Sequence, residues 1–207
     1  MKKALAILGI LALSITPTAS FAEYNDLQKK FIESELRPGG SLQKVNLSGR
    51  NLKGRNLTGI SMNGANLSGA DLSGANLHNA FFDRANMKDA KLVKANLSGA
   101  DLSEANLHHA KLIGANVSNA IVTAANLKFS NLANSRWDGT DLSFSDLSGA
   151  HLSGADLRGS DLNGITANNI KACPRSLPNG WVCKNESIIC PKCWKPPHPR
   201  HRPKLHW

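Results

Sequence analysis

The chain has 207 residues, with 25 Lys and Arg against 15 Asp and Glu, a formal net charge of +10, and 5% aromatic residues. No apolar run approaches the roughly 20 residues of a bilayer-crossing helix, which excludes a helical membrane protein. A Gly-rich phosphate loop, a His-Glu-x-x-His pair and a Gly-x-Ser-x-Gly elbow are all missing, so the common catalytic signatures are excluded too.

Residues 1–22 read as a secretory signal peptide. Lys2 and Lys3 precede the apolar run 4–15, and Ser20-Phe21-Ala22 forms a small-x-Ala cleavage site. Cleavage between Ala22 and Glu23 implies export to a periplasm, another oxidising lumen or the extracellular space. No cysteine stands just after the cut, which argues against a lipid anchor there. Residues 23–41 carry Tyr24, Leu27, Phe31, Ile32 and Leu36 at helical spacing, ended by Arg37-Pro38-Gly39-Gly40. The pattern predicts a short amphipathic helix that caps the open end of the segment beyond it.

That segment, residues 42–168, is a repeat. Every fifth residue from Leu42 to Leu162 is large and apolar, 25 positions in one register, and from Ala65 to Ala125 the residue two places earlier is alanine at all thirteen steps. Asn or Asp usually stands between them, and Gly recurs two residues after the leucine, as in Ala70-Asp71-Leu72-Ser73-Gly74. Five is neither the helical nor the strand period, so the pattern is a repeat architecture. One large side chain per unit cannot form a core alone, but stacked units share one. The alanines leave room for the next layer. Gly, Asn and Asp suit the intervening turns.

The motif Ala-(Asp/Asn)-Leu-x-x over about 125 of the 207 residues resembles the pentapeptide-repeat family. That resemblance implies an all-β fold, a right-handed quadrilateral parallel β-helix in which four pentapeptides make one coil and residues twenty apart stack. About six coils are expected, a shaft of roughly 30 Å at about 4.8 Å per strand. The family includes DNA mimics that bind topoisomerases. A basic chain with an export signal departs from that role on both counts.

Folded onto a twenty-residue coil, one stretch of surface departs from the usual Ser, Asn, Gly and Thr. Val93 lies below Ile113 and Lys91 below Lys111. Lys88, His108 and Lys128 stack beside them, with His109, Phe129 and Lys94 at the edge. Exposed apolar groups ringed by cations suit an acidic partner. Phe81 and Ile121 face outward elsewhere, and Asp141 and Asp161 stack at the ordinary Asn/Asp position of the motif. Trp137, with Ser135 in place of alanine, overfills one core position and predicts a local bulge or kink.

Residues 169–207 carry eight basic residues and one acid, Glu186, a balance of +7. They divide into a cysteine-containing cap, 169–194, and a Pro/His-rich basic tail, 195–207. In an exported protein Cys173, Cys183, Cys190 and Cys193 read first as two disulfides of open connectivity, the most local being Cys173 with Cys183 and Cys190 with Cys193. The alternatives are a zinc site built from Cys190, Cys193, His198 and His201, and a redox-active Cys190-x-x-Cys193, which lacks the strand-then-helix context of a reactive thiolate.

The sequence therefore points to a non-enzymatic exported scaffold with no cofactor. It presents rigid faces and a basic tail to an acidic protein, an anionic polymer or lipid headgroups, with no specific nucleic acid and no membrane span. The competing readings are a metal-binding protein and a β-helix enzyme acting on polysaccharide. The latter needs long loops that five-residue units do not leave. Homodimerisation through either end stays open.

Overall fold

A computed structural model describes residues 21–191, with side chains described from residue 25. Helix α1, Phe21–Glu35, comes first and spans the expected cleavage point between Ala22 and Glu23. Its Phe31 and Ile32 pack on the core, Leu36 is buried, and Glu33 holds Arg50 and Arg55 at 2.8 and 3.0 Å.

From residue 41 onward, the residue before each inward apolar side chain forms a parallel bridge with the residue twenty positions later. Ser41 pairs with Ser61, Asn46 with Asn66, Asn51 with Asp71 and Asn56 with Asn76, and the series continues to Asp146 with Thr166. Four pentapeptides thus close one four-sided coil. The bonds run both ways along the stack: Leu52 N–H donates to the Asp71 carbonyl at 2.7 Å, and Asp71 N–H donates back to the Arg50 carbonyl at 2.9 Å. Within each corner the chain turns on a short bond, as from Ala70 N–H to the Leu67 carbonyl at 3.0 Å. The backbone polar groups are thereby paired without long strands.

All 25 residues of the apolar series are buried, as is each alanine from Ala65 to Ala125. Beyond Ala125 several small positions become Ser or Thr. Each buried hydroxyl finds a backbone carbonyl: Ser130 donates to Leu127 at 2.6 Å, Thr140 to Val117 at 2.8 Å and Ser160 to Trp137 at 2.7 Å. These substitutions therefore leave no unmet donor in the core.

The bulge expected at Trp137 does not form. Arg136 keeps its bridges to Asn116 and Asp156, and Trp137 N–H reaches the Asp156 carbonyl at 2.8 Å. Two substitutions absorb the indole. Val117, one coil earlier in the same stack, is smaller than leucine, and Ser135 supplies the acceptor for the indole N–H at 2.6 Å. A register slip appears later, where His151 bridges Ala172, twenty-one residues on, before Asp156 resumes the twenty-residue spacing with Ser176. The slip coincides with the lapse of the repeat after Leu162.

The end of the described chain is a hairpin of β1, Val182–Lys184, and β2, Ser187–Ile189. Asn185 and Glu186 both have positive φ, +48° and +56°, as a two-residue turn between twisted strands requires. Ile188 is buried and donates to the Ala167 carbonyl, and the Cys173–Cys183 disulfide ties β1 to the final coil. A second tie lies at Asp156, a buried carboxylate. Arg158 and Arg175 meet it at 2.8 and 2.7 Å, and the Ser176 hydroxyl donates to it at 2.8 Å. The Arg158 guanidinium first, then Ser176 and Arg175, hold its carboxyl far below the usual range against the opposing effect of burial.

Two substitutions test these contacts. Trp137→Ala should cost about 3–5 kcal/mol in denaturant unfolding, the range for emptying a large aromatic site. Asp156→Asn should cost about 1–3 kcal/mol at neutral pH. Because the folded carboxyl is more acidic than the unfolded one, that contribution is present above the unfolded pKa of about 3.9 and lost as pH falls toward the folded value. The gap between the two proteins should therefore close in acid.

Candidate functional site

The four sides of the coil differ in chemistry. The second side, residues 46, 66, 86, 106 and 126, is an asparagine ladder. Each amide donates to the asparagine one coil earlier, from Asn66 to Asn46 at 3.2 Å through to Asn126 to Asn106 at 3.2 Å. The fourth side repeats this with Asn56, Asn76, Asn96 and Asn116. Those amides are spent along the ladder.

The third side instead carries Lys91 and Lys111 in directly bridged positions, with Val93 and Ile113 half-buried next to them and Lys94 exposed at the corner. None of Lys91, Lys94 and Lys111 has an ion-pair partner among the described residues. Lys88, at the corner between the second and third sides, is exposed; Lys128, two coils on, is half-buried and held by Asp146 at 2.9 Å. His108 sits between them. Burial, then the neighbouring His109 and Lys88, push its imidazole below the usual histidine value, and its Nδ1 is buried without a hydrogen-bond partner.

His109 and Phe129 occupy the same corner of successive coils in the left-handed conformation, φ +59° and +56°, where most units place Gly or Asn. A phenylalanine there carries backbone strain of about 1–2 kcal/mol. Their rings stack at 5.3 Å with planes 19° apart, and His108 meets Phe129 edge-on at 5.6 Å. Above Phe129 stands Gly149, where an added Cβ would lie 2.4 Å from the ring. The glycine is thus the seat on which the ring lies, and half of Phe129 remains exposed. The structure places the ten sequence-predicted partner-binding residues on the third side and its two corners, with Lys88, His108, His109, Lys128 and Phe129 at the corner before it and Lys94 at the corner after it.

Phe144, 73% exposed, is a surface aromatic that the repeat pattern did not single out. It takes the corner between the first and second sides at φ +61°, over Gly164 in the same fashion. The available signal was an aromatic residue in a turn slot usually given to Gly.

Of the cysteines, Cys173 pairs with Cys183, and Cys190 is also disulfide-bonded. Cys193, His198 and His201 of the alternative zinc set lie outside the described residues, and a cysteine held in a disulfide offers no thiolate to a metal. Among the described residues no group of three or more His, Cys, Asp or Glu side chains is placed to hold a metal ion. No described helix is long and apolar enough to cross a membrane.

A family model for pentapeptide repeats matches in eight copies, over residues 41–79, 51–89, 82–119 and 125–164. The chain belongs to the pentapeptide-repeat family. The family fold is the right-handed quadrilateral β-helix, and its members are in general structural or binding proteins, not catalysts. Among solved structures, this pentapeptide-repeat protein is similar to one from the Arabidopsis thaliana thylakoid lumen, with 31% identity over 54% of this chain and 70% of that one, TM-score 0.37. A pentapeptide-repeat protein of Nostoc PCC 7120 shows 31% identity over 52% and 84%, TM-score 0.39. HetL of the same cyanobacterium, a protein involved in heterocyst differentiation regulation, shows 23% identity over 69% and 91%, TM-score 0.30. No curated protein matches.

The His108 environment is directly measurable. Its NMR titration midpoint should lie below the ordinary value of about 6.5 and below that of a freely exposed histidine. Phe129→Ala, which opens the cluster to water, should move it upward, and Lys88→Ala should do so by a smaller step.

Proposed function

We propose that this protein is an exported, non-catalytic binding scaffold whose third side and adjoining corner dock an anionic component of the cell envelope. The observation that carries the reading is the group of cations Lys91, Lys94 and Lys111 around Val93 and Ile113, with Asp71 as the one acidic residue on that side, beside a strained aromatic corner at Phe129. Charge draws an acidic surface in, and the apolar groups hold it. In this reading residues 1–22 are the export signal and the mature chain begins at Glu23. α1 and the disulfide-tied hairpin cap a shaft of about six coils, and the basic tail from residue 195 adds a second, less specific hold on the same anionic material. Capping matters because an open coil would offer unpaired backbone to any passing strand. Disulfides and export favour an oxidising compartment for the working protein.

The test is capture from envelope extract. Three proteins are compared: the mature chain, a version ending at Trp194, and Lys91→Glu/Lys111→Glu. If the shaft binds, the version ending at Trp194 should retain most of its partner and the double variant should lose at least about tenfold, with the intact complex weakening as salt shortens the Debye length. Loss of capture only on removing the tail would move the site there, and equal capture by all three would end both versions.

A further inference from the structure

The opposite sides of the shaft are charged with opposite sign. On the first side, residues 41–44 and their equivalents up to 161–164 hold two cations, Lys44 and Arg84, against Asp83, Asp101, Glu104, Asp141 and Asp161, a balance of −3. On the third side, residues 51–54 and their equivalents up to 151–154 hold Lys53, Lys91, Lys94 and Lys111 against Asp71, a balance of +3. The second side balances Lys88 and Lys128 with Asp89 and Asp146. The fourth balances Arg136 and Arg158 with Asp138 and Asp156.

Both charged sides also carry apolar groups. Phe81 and Ile121 on the first side are each 47% exposed, with Asp101 between them on the same ladder. Val93 and Ile113 stand beside the lysines of the third. On each side like charges sit on directly bridged neighbours, Lys91 beside Lys111 and Asp141 beside Asp161. Adjacent like charges repel along a ladder. The described residues give these four groups no ion-pair partner, although Glu104 is bound by Arg84 at 3.0 Å and Asp156 by two arginines.

We infer that the protein associates side by side with further copies of itself, the acidic first side of one copy lying on the basic third side of the next. Two arguments single out a second copy over another acidic partner. Its charges repeat at the same rung spacing of about 4.8 Å, so consecutive rungs stay in step, whereas side chains on one face of an extended peptide recur at roughly 6.6 Å. The pairing also closes rung by rung with the shafts antiparallel. Lys91 then faces Asp161, Lys111 faces Asp141, the Ala133 rung faces Ile121, and the His151 rung faces Asp101. The two surfaces differ, so the contact is head-to-tail in kind and leaves both outer sides open to add copies.

In this register four rungs overlap, 101 to 161 of one copy on 91 to 151 of the other. At that spacing the contact measures about 20 Å by roughly 10 Å, about 200 Å² per partner against about 800 Å² for a stable complex. The association is therefore weak, graded and salt-sensitive, a property of concentrated protein or of copies gathered on a surface. It does not depend on the envelope partner proposed above.

Sedimentation of the purified protein over a concentration series tests it. The weight-average mass should rise with concentration at about 0.05 M salt, and the association should weaken at least about tenfold by roughly 0.5 M. Lys91→Asp/Lys111→Asp and Asp141→Lys/Asp161→Lys should each remain monomeric alone, while an equimolar mixture of the two should associate. Circular dichroism confirms that both keep the fold. A wild-type protein that stays monomeric throughout overturns the inference, as does a mixture that fails to associate. So does a result in which Asp141→Lys/Asp161→Lys loses association and Lys91→Asp/Lys111→Asp keeps it, because the basic tail, not the third side, would then occupy the acidic side.

Discussion

Every other feature of this protein depends on the stacking of one leucine-sized side chain on the one twenty residues later, while the adjoining backbone bonds to the coils above and below. A single pentapeptide buries too little to offset the entropy of fixing its chain, so each coil is stable only as a neighbour of others. This is why 25 apolar positions keep one register without an insertion. An added residue would move a leucine out of the stack and break the bridges on both sides. The one slip of register falls after Leu162, where the inward series has ended and the hairpin, the disulfide and the Asp156 cluster take over.

With the interior fixed, the exterior is free to vary, and its variation is not random by side. Asparagine ladders spend the second and fourth sides on internal bonds. The first and third are left to carry Phe, Ile, Lys and Asp. The corners add a second kind of information. A turn that needs positive φ accepts glycine without strain, so Phe129 and Phe144 stand where the backbone would be more relaxed without them. Each ring lies over a glycine of the next coil, which is the space that makes the substitution tolerable. Strain kept at an exposed aromatic corner is consistent with a surface used for contact.

The distribution of charge joins these observations. The shaft is nearly neutral overall, yet it is polarised across its width, and most of the chain's excess positive charge belongs to the C-terminal segment. Members of the pentapeptide-repeat family are in general structural or binding proteins. On the reading proposed above, the shaft sets the spacing at which charges and apolar groups meet a partner.

The sequence by itself determined the solenoid, the inward path of each leucine and the basic character of the last segment, because a five-residue spacing and a composition are visible in one dimension. The stack of Lys91 under Lys111 needed the four-unit coil, which the resemblance to a known family implied and the bridges of the closed coil display. The sequence misjudged Trp137, because relief came from Val117 one coil away and from the Ser135 hydroxyl, neither of which announces itself as a partner. The pairing of Cys173 with Cys183 was one of several open readings until the hairpin brought β1 against the last coil. The burial of Asp156 between two arginines, the stacking of His109 on Phe129, and the opposition of an acidic and a basic side were likewise decided only in three dimensions. Each depends on which side chains the closed coil sets next to or across from one another, and that is a property of the cross-section, which no linear pattern contains.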